Sequence, residues 1–291
     1  MKQSRVFILG NPRSGTSLLR LMLNQHSSIV APPESGFSLW WLHKYGNWCK
    51  ADNAPQKING FIDDVLSSRK IETWHLKRDL LFREIETTKP ETYGDLVAIV
   101  YRVYKKWGTA SVIVDKNNYY IENLQRLKSV WPNAKFIHIV RDGRDVACSY
   151  IALKNLQTTS KYKPQLPTVC TDIARQWAAN NKKIKTLLAG DPHNSFLIRY
   201  EDLVTVPKQE LKALCGFFDV TFEENMLKYH TQTDPTLVEP KETLPWKQKL
   251  KEKPDPSRIA VYKTGLTPQQ QTDFEKTAAK TLRAFGYGPA N

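Results

Sequence analysis

The sequence predicts an α/β protein with a doubly wound, mostly parallel sheet flanked by helices. Short, continuously apolar segments that are typical of buried parallel strands alternate with segments of helical periodicity. A glycine-containing turn joins the first of these strands to its helix, and no internal repeat or low-complexity tract interrupts the alternation. Strands that alternate with helices favour a parallel sheet with both faces covered.

Four strand-and-helix pairs follow one another along the chain. Residues 6–9 form the first predicted strand, and the leucine-rich segment 18–23 forms a helix buried over much of its surface. The other predicted strands are residues 111–114, 135–140 and 195–198. Their helices are predicted around residues 121–127, 145–153 and 208–218.

The composition limits the partners of the chain. Lys and Arg outnumber Asp and Glu by 43 to 29 in 291 residues, a net charge of +14, which favours an anionic partner. Four widely spaced cysteines without a CxxC pair predict free thiols and no metal site. The apolar run at residues 6–9 is too short to span a bilayer, so we expect a cytoplasmic protein without a transmembrane segment.

The turn after the first strand has the sequence context of a phosphate-binding loop. Residues 10–17 read GNPRSGTS between a strand and a helix, where backbone N–H groups and the helix N-terminus favour an anion. The spacing of Gly10, Gly15 and Ser17 matches a nucleoside-triphosphate loop, which makes the predicted fold P-loop-type. Thr16 stands where such a loop carries lysine, and Arg13 is the cation inside the loop.

A second anion site is predicted at the end of the third strand. Residues 136–150 read FIHIVRDGRDVACSY, with Arg141 at the carboxyl end of the strand and Ser149 eight residues later on the next helix. Ligands of doubly wound folds bind at the carboxyl ends of the strands, where both side chains can reach one phosphate. Arg144 is ranked lower, because it is expected to pair with an acid.

These two segments carry a family resemblance. Residues 12–18 (PRSGTSL) resemble the 5′-phosphosulfate loop of sulfotransferases that use 3′-phosphoadenosine 5′-phosphosulfate (PAPS), in the form typical of bacterial and tyrosylprotein-type members. The segment from 136 to 150 is similar to the 3′-phosphate motif of the same family. The cofactor-binding residues that the resemblance implies are Arg13, Ser14, Gly15, Thr16, Ser17, Arg141, Ser149, Tyr200, Arg258 and Lys263.

The resemblance also implies a catalytic group. Glu34, which follows the first helix, is at the position of the carboxylate that acts as base in tyrosylprotein-type members, and two preceding prolines stiffen its loop. Lys116, just past the second strand, and Arg13 are the catalytic cations for the transferring group and the leaving phosphate. We expect the neighbouring Asp115 to pair with Lys116 or to cap the next helix, since a magnesium-binding role needs the missing loop lysine.

Other residues compete for roles on the acceptor side. Histidine is the base in many cytosolic sulfotransferases, so His26 and His43 are alternatives to Glu34; His26 also fits a helix C-terminus. Phe37, Trp40, Trp41 and His43 are candidates for an acceptor pocket, although aromatic residues at this spacing also suit a core.

The predicted protein is a single sulfotransferase domain over residues 1–291. Residues 37–110 and 155–190 are expected to be helical insertions on the acceptor side, and residues 234–256, with five prolines and several lysines, a mobile basic segment. The predicted reaction is in-line transfer of the sulfuryl group from PAPS to an acceptor hydroxyl or amine, leaving adenosine 3′,5′-bisphosphate and requiring no metal.

Two other functions are weighed against this one. The first is a P-loop kinase or nucleotide hydrolase, which the missing loop lysine opposes. The second is a basic nucleic-acid-binding protein, which the net charge suggests but no recognition motif supports, so no nucleic-acid partner is expected. The acceptor is left open among a small molecule, a glycan, a lipid and a peptide.

Overall fold

A five-stranded parallel sheet forms the centre of the molecule. The computed structural model describes residues 4–104, 110–232, 239, 241–246, 250 and 252–289. The strands are β1 (Ser4–Leu9), β2 (Ile29–Val30), β3 (Val112–Lys116), β4 (Lys135–Val140) and β5 (Ser195–Arg199). Their order is β2-β3-β1-β4-β5, and all four pairings are parallel. The predicted fold class is confirmed.

The predicted strands agree closely with the observed ones. β4 has the predicted bounds, β1 begins two residues earlier than predicted, and β5 ends one residue later. β3 begins one residue later and ends two residues later than predicted. β2 was missed because it holds only two residues, which is too short for a periodic signal.

Helices cover the sheet and form most of the connections between its strands. They are α1 (Thr16–Leu23), α2 (Phe37–Trp40), α3 (Leu42–Tyr45), α4 (Pro55–Leu66), α5 (Arg78–Thr88), α6 (Tyr93–Val103), α7 (Leu124–Val130), α8 (Gly143–Lys154), α9 (Cys170–Leu188), α10 (Tyr200–Thr205), α11 (Pro207–Phe218), α12 (Tyr229–Gln232), α13 (Tyr262–Gly265) and α14 (Pro268–Ala284). Short 3-10 turns occur at Ile71–Trp74, Asn118–Ile121, Lys241–Trp246 and Pro256–Arg258, among others.

The alternation of side chains along β1 divides the core into two layers. Val6 and Ile8 pack with α1 and α11 on one face of the sheet. Phe7 and Leu9 pack with α7 and α9 on the other face. Because successive strand residues point to opposite faces, a continuously apolar strand is what a sheet covered on both sides requires.

The two segments expected to be insertions have different positions. Within residues 37–110, helices α2 to α6 surround their own cluster of buried aromatic side chains, which includes Phe61, Trp74 and Tyr101. In segment 155–190, however, α9 lies on the sheet: His138 of β4 is hydrogen-bonded to Asn181 at 2.9 Å. This helix belongs to the layer that covers the sheet, and the expectation that it is part of an insertion is wrong.

The proline-rich segment 234–256 lies partly outside the described residues. In its described part, Lys241–Trp246 forms a 3-10 turn. The buried side chain of Glu239 is paired with that of Arg20 on α1 at 3.0 Å. The predicted mobility stays a prediction. Across the described residues, no helix has the length and apolar character needed to cross a bilayer.

Candidate active site

The loop between β1 and α1 has the backbone shape of an anion-binding turn. Arg13 and Gly15 both adopt positive φ angles, of 70° and 93°. A Cβ atom on Gly15 would lie 2.6 Å from the Tyr200 ring, and one on Gly10 would lie 2.6 Å from the Ile139 carbonyl oxygen. Both glycines are therefore required by close packing, and the turn directs the N-terminus of α1 into the space beyond the strands.

The second arginine-rich turn is held in place by acids. Asp142 caps α8 and accepts hydrogen bonds from the Arg144 guanidinium at 2.7 and 3.0 Å. Arg144 also pairs with Glu275 of α14. Asp145 accepts from the backbone N–H groups of Ala260 and Tyr262 at 2.9 and 3.0 Å, which fastens the segment that follows Arg258 to α8. Arg144 has a structural role, as its expected pairing with an acid indicated.

The two predicted phosphate motifs meet. The Arg13 Nε donates to Ser149 Oγ at 2.9 Å. Arg141 donates to the carbonyl oxygens of Arg13 and Arg258, at 3.3 and 2.8 Å, and its guanidinium lies 4.4 Å from the centre of the Tyr200 ring. Burial, together with the charges of Arg141 and Arg258, lowers the pKa of Arg13. The concentration of positive charge makes this part of the cavity a site for an anion.

A carboxylate and two ammonium groups form a second cluster. The Glu34 Oε2 lies 3.2 Å from the Nζ of Lys116 and 3.3 Å from the Nζ of Lys70. The three side chains are between 5% and 15% exposed. Lys116 comes from the carboxyl end of β3, whereas Lys70 precedes a 3-10 turn in the helical segment. The two cations therefore approach Glu34 from different parts of the fold.

Asp115 is directed away from this cluster, because neighbouring residues of a strand face opposite sides of the sheet. Its carboxylate is buried and accepts hydrogen bonds from the hydroxyl groups of Tyr101 and Tyr120. Burial raises its pKa. The expectation that Asp115 pairs with Lys116 or caps a helix is wrong, and its position in the core also opposes a magnesium-binding role.

One cavity of about 460 Å³ contains both clusters. Most of the predicted site residues line it: Arg13, Gly15, Thr16, Ser17, Glu34, Trp40, Lys116, Arg141, Tyr200 and Arg258. Ser14 is buried in the loop, and Ser149 reaches the site through its bond to Arg13. Within the described part of the chain, no group of three or more His, Cys, Asp or Glu residues is arranged to hold a metal ion.

Several predicted residues lie elsewhere. Phe37 is completely buried against Trp74 and Tyr101, so its assignment to the acceptor pocket is wrong. Trp41 and His43 are also absent from the described cavity lining; the first bonds to Ser68 and the second is exposed beside the Trp40 carbonyl oxygen.

His26 and Lys263 are also outside the cavity. The His26 side chain is buried, and its Nε2 lies 2.7 Å from the carbonyl oxygen of Thr221. This position fits a structural role at the end of the first helix. Lys263 is exposed on α13, a short helix whose buried residue, Tyr262, packs towards α8. Its assignment to cofactor binding stays a prediction.

Sequence reasoning missed part of the cavity wall. The additional lining residues include Arg69, Lys70, Tyr119, Tyr162 and Trp246. Arg69 and Lys70 both lie near the Tyr162 ring, at 5.1 and 5.7 Å from its centre. None of these residues belongs to a local motif; only the excess of lysine and arginine suggested that more cations would line an anion site.

Comparison with known proteins agrees with this geometry. A model described as Sulfotransferase family matches residues 5–224. A putative protein-tyrosine sulfotransferase of Caenorhabditis briggsae is 23% identical over 233 residues, which are 77% of this chain and 69% of the relative. Protein-tyrosine sulfotransferase 1 of Danio rerio is 24% identical over 230 residues, 77% of this chain but 55% of the relative, so the match spans little more than half of that protein.

Solved structures share the fold over nearly the whole chain. The sulfotransferase domain from the curacin biosynthetic pathway has a TM-score of 0.63 at 23% identity and covers 97% of this chain and 98% of its own. The sulfotransferase domain from the Synechococcus olefin synthase has a TM-score of 0.63 at 21% identity, with coverages of 97% and 96%. The fold and the loop thus define a P-loop-like α/β protein. The chain belongs to the sulfotransferase family, which confirms the predicted enzyme class; the kinase alternative is not favoured.

Proposed function

We propose that the cavity binds PAPS and that the chain transfers its sulfuryl group to an acceptor hydroxyl. The observation that carries this proposal is the placement of Glu34 and Lys116, 3.2 Å apart, in the same cavity as Arg13 and Arg141. Sulfuryl transfer needs a site that binds the anionic donor, a base for the acceptor proton and a cation for the leaving phosphate. The arginines provide the first, the Glu34 carboxylate the second and the Lys116 ammonium group the third.

The residues present fit the donor. The N-terminal turn of α1, with Thr16 and Ser17, offers backbone N–H and hydroxyl donors to the 5′ end. Arg141 and Ser149 offer donors to the 3′-phosphate, and the buried Arg141 Nε has no hydrogen-bond partner among the residues that the structure describes. The donor supplies the sulfuryl group, which carries less negative charge than a phosphoryl group, so we propose that no divalent ion is needed.

Glu34 is the proposed base. Its carboxylate accepts the proton of the acceptor hydroxyl while the acceptor oxygen forms the new bond to sulfur and the bond from sulfur to the bridging phosphate oxygen breaks. Lys116 stabilises the negative charge that the leaving phosphate gains. Adenosine 3′,5′-bisphosphate is then the second product, and charge and atoms balance without a further reactant.

The proposed acceptor is the hydroxyl group of a tyrosine in a peptide. This choice is supported by the names of the curated relatives, which are protein-tyrosine sulfotransferases. It is also supported by the aromatic side chains Trp40, Tyr119 and Tyr162 in the cavity wall, since aromatic side chains pack well against a phenol ring.

Two measurements test the proposal. Adenosine 3′,5′-bisphosphate should raise the unfolding temperature of the protein, whereas ATP with Mg²⁺ at the same concentration should raise it less; stabilisation by ATP alone refutes the donor. The protein is then incubated with ³⁵S-labelled PAPS and a tyrosine peptide or an extract of the host cell. Label on the peptide supports tyrosine as the acceptor. If only another molecule of the extract is labelled, that molecule is the acceptor and the tyrosine proposal is refuted.

A further inference from the structure

A buried polar group joins the two chain segments that carry Glu34 and Lys116. Glu34 precedes Ser38 of α2 by four residues, and Lys116 directly follows Asp115 in β3. The Ser38 Oγ donates to Asp115 Oδ2 at 3.3 Å, although the two residues are 77 positions apart in the chain. Both are at most 1% exposed and lie outside the described cavity lining, so this contact is available for a structural link rather than for an acceptor.

Two tyrosine hydroxyl groups complete the network. Tyr101 of α6 and Tyr120 of the 3-10 turn after β3 both donate to Asp115 Oδ2. The Tyr120 oxygen lies 2.5 Å from Ser38 Oγ, and because its own proton goes to the carboxylate, it can accept the proton of the serine. Each of the three hydroxyl protons then has an acceptor. We call these four residues, Ser38, Tyr101, Asp115 and Tyr120, the Asp115 group.

The backbone between Glu34 and Ser38 is closely packed. A Cβ atom on Gly36 would lie 2.3 Å from the indole ring of Trp40. The Tyr93 hydroxyl donates to the Ser38 carbonyl oxygen at 3.1 Å, which fixes the start of α2 from the side of α6. Because this short stretch has little room to adjust, a shift of Ser38 is transmitted to Glu34.

The carboxylate of the Asp115 group is held on the other side by charge. The Arg5 guanidinium of β1 lies 4.5 Å from the centre of the Tyr101 ring and acts electrostatically on Asp115. β1 and β3 are paired, with Arg5 opposite Ile113. A buried carboxylate that accepts several hydrogen bonds near a cation is costly to displace, because its charge would lose those partners. The network therefore favours one position of α2 relative to the end of β3.

We propose that Ser38 and Asp115 are positioning residues for the transfer reaction, and that the hydrogen bonds of the Asp115 group set the distance between the Glu34 carboxylate and the Lys116 ammonium group. The inference rests on the proposed function, because Glu34 and Lys116 are the proposed base and the cation for the leaving phosphate. The two side chains lie 3.2 Å apart. A base must be within hydrogen-bond reach of the acceptor proton, and a displacement of about 1 Å can lower a rate by about 100-fold.

Two variants each remove one hydroxyl from the Asp115 group. We expect Ser38→Ala and Tyr120→Phe each to lower the single-turnover rate of ³⁵S transfer from PAPS to a tyrosine peptide by about tenfold. The affinity for adenosine 3′,5′-bisphosphate, measured by calorimetry, should stay within about twofold, since the arginines of the anion site are unaltered. The double variant should be slowed by much less than the product of the two effects, because both changes remove the same contact.

Tyr45→Phe is the matched control. Tyr45 is another buried tyrosine whose hydroxyl donates to a carboxylate, that of Asp64 at 2.6 Å, but it lies outside the described cavity lining. Its replacement should lower the stability to urea, as Tyr120→Phe does, yet leave the transfer rate within about twofold of the unaltered protein. Equal transfer rates in Tyr120→Phe and in this control would show that the Asp115 group serves stability only, and would overturn the inference.

A measurement that needs no acceptor separates this inference from the proposed function. Crystal structures of the unaltered protein and of Ser38→Ala, each with adenosine 3′,5′-bisphosphate, give the distance from Glu34 Oε2 to Lys116 Nζ. We expect Ser38→Ala to lengthen it by about 0.5 to 1 Å, and an unchanged distance overturns the inference. If the unaltered protein labels neither the peptide nor the extract, the proposed function fails, and the crystallographic distance alone decides whether the Asp115 group positions the two side chains.

Discussion

Replacement of Glu34 by Gln tests the proposed base most directly. The change keeps the size of the side chain but removes the charge that lies 3.2 and 3.3 Å from two lysine ammonium groups. At 3.2 Å and an effective dielectric constant of about 20, each attraction amounts to roughly 5 kcal/mol before desolvation is counted. Most of that is cancelled by the cost of burying the charges, so we expect a net loss of about 3 kcal/mol in the free energy of unfolding.

The effect on the reaction should be larger than the effect on donor binding. Loss of a general base lowers the rate by about 10²- to 10⁴-fold, because the acceptor must then lose its proton to water. Affinity for adenosine 3′,5′-bisphosphate should stay within about threefold of the unaltered protein, since the anion site around Arg141 is intact. The assays are transfer of ³⁵S from labelled PAPS under single-turnover conditions, urea unfolding and calorimetry.

Glu122→Gln is the matched control. Glu122 is an exposed partner of Lys183 outside the cavity, so its replacement should change rate and stability little. A transfer rate for Glu34→Gln equal to that of the control would refute the assignment of Glu34 as base. If Glu34→Gln loses stability but keeps full activity, the role of Glu34 is only to offset the repulsion between the two lysines.

Three further predictions concern the loop, the second lysine and a buried histidine. Gly15→Ala should weaken adenosine 3′,5′-bisphosphate binding by about tenfold or more in calorimetry, because the new methyl group meets the Tyr200 ring at 2.6 Å and the backbone φ is 93°. Lys70→Met should lower the single-turnover rate of sulfuryl transfer by about tenfold, because the Glu34 carboxylate loses one of the two ammonium groups that hold it in place. Burial lowers the pKa of His138 to about 4. Its contribution to stability is therefore complete above about pH 6.5 and is lost as the pH falls towards 4, by at most about 3 kcal/mol; His138→Gln should flatten this dependence in urea unfolding.

Each of these has an outcome that contradicts it. Unchanged nucleotide affinity in Gly15→Ala would mean that the loop can shift away from Tyr200. An unchanged transfer rate in Lys70→Met would mean that Lys70 leaves Glu34 when the acceptor binds. An equal acid dependence of unfolding in the unaltered protein and in His138→Gln would mean that other groups cause it.

Local sequence was sufficient for the two phosphate motifs. The loop at residues 10–17 and the turn after β4 are each contiguous, and each follows a strand whose apolar pattern is clear. A strand that runs into a helix through a tight turn fixes the direction of its own backbone, so the position of Arg141 at the cavity follows from its neighbours in the chain.

The role of adjacent residues was harder to predict. Strand alternation requires Asp115 and Lys116 to face opposite sides, but it does not say which of them faces the cavity. Only the packing of Tyr101 and Tyr120 around the Asp115 carboxylate decides this, and those tyrosines come from two different segments. In the same way, the aromatic pattern of Phe37 and Trp40 fits both a core and a pocket, and the surrounding helices put one residue in each.

The sequence by itself determined the alternation of four strands with their helices, the two arginine-containing turns and the position of Glu34 after α1, because each depends on residues close together in the chain. The tertiary structure alone brought Lys70 to Glu34 and Arg13 to Ser149. Those contacts join residues 36 and 136 positions apart, and they arise from how the sheet and the helical segment pack around the cavity rather than from any local preference of the backbone.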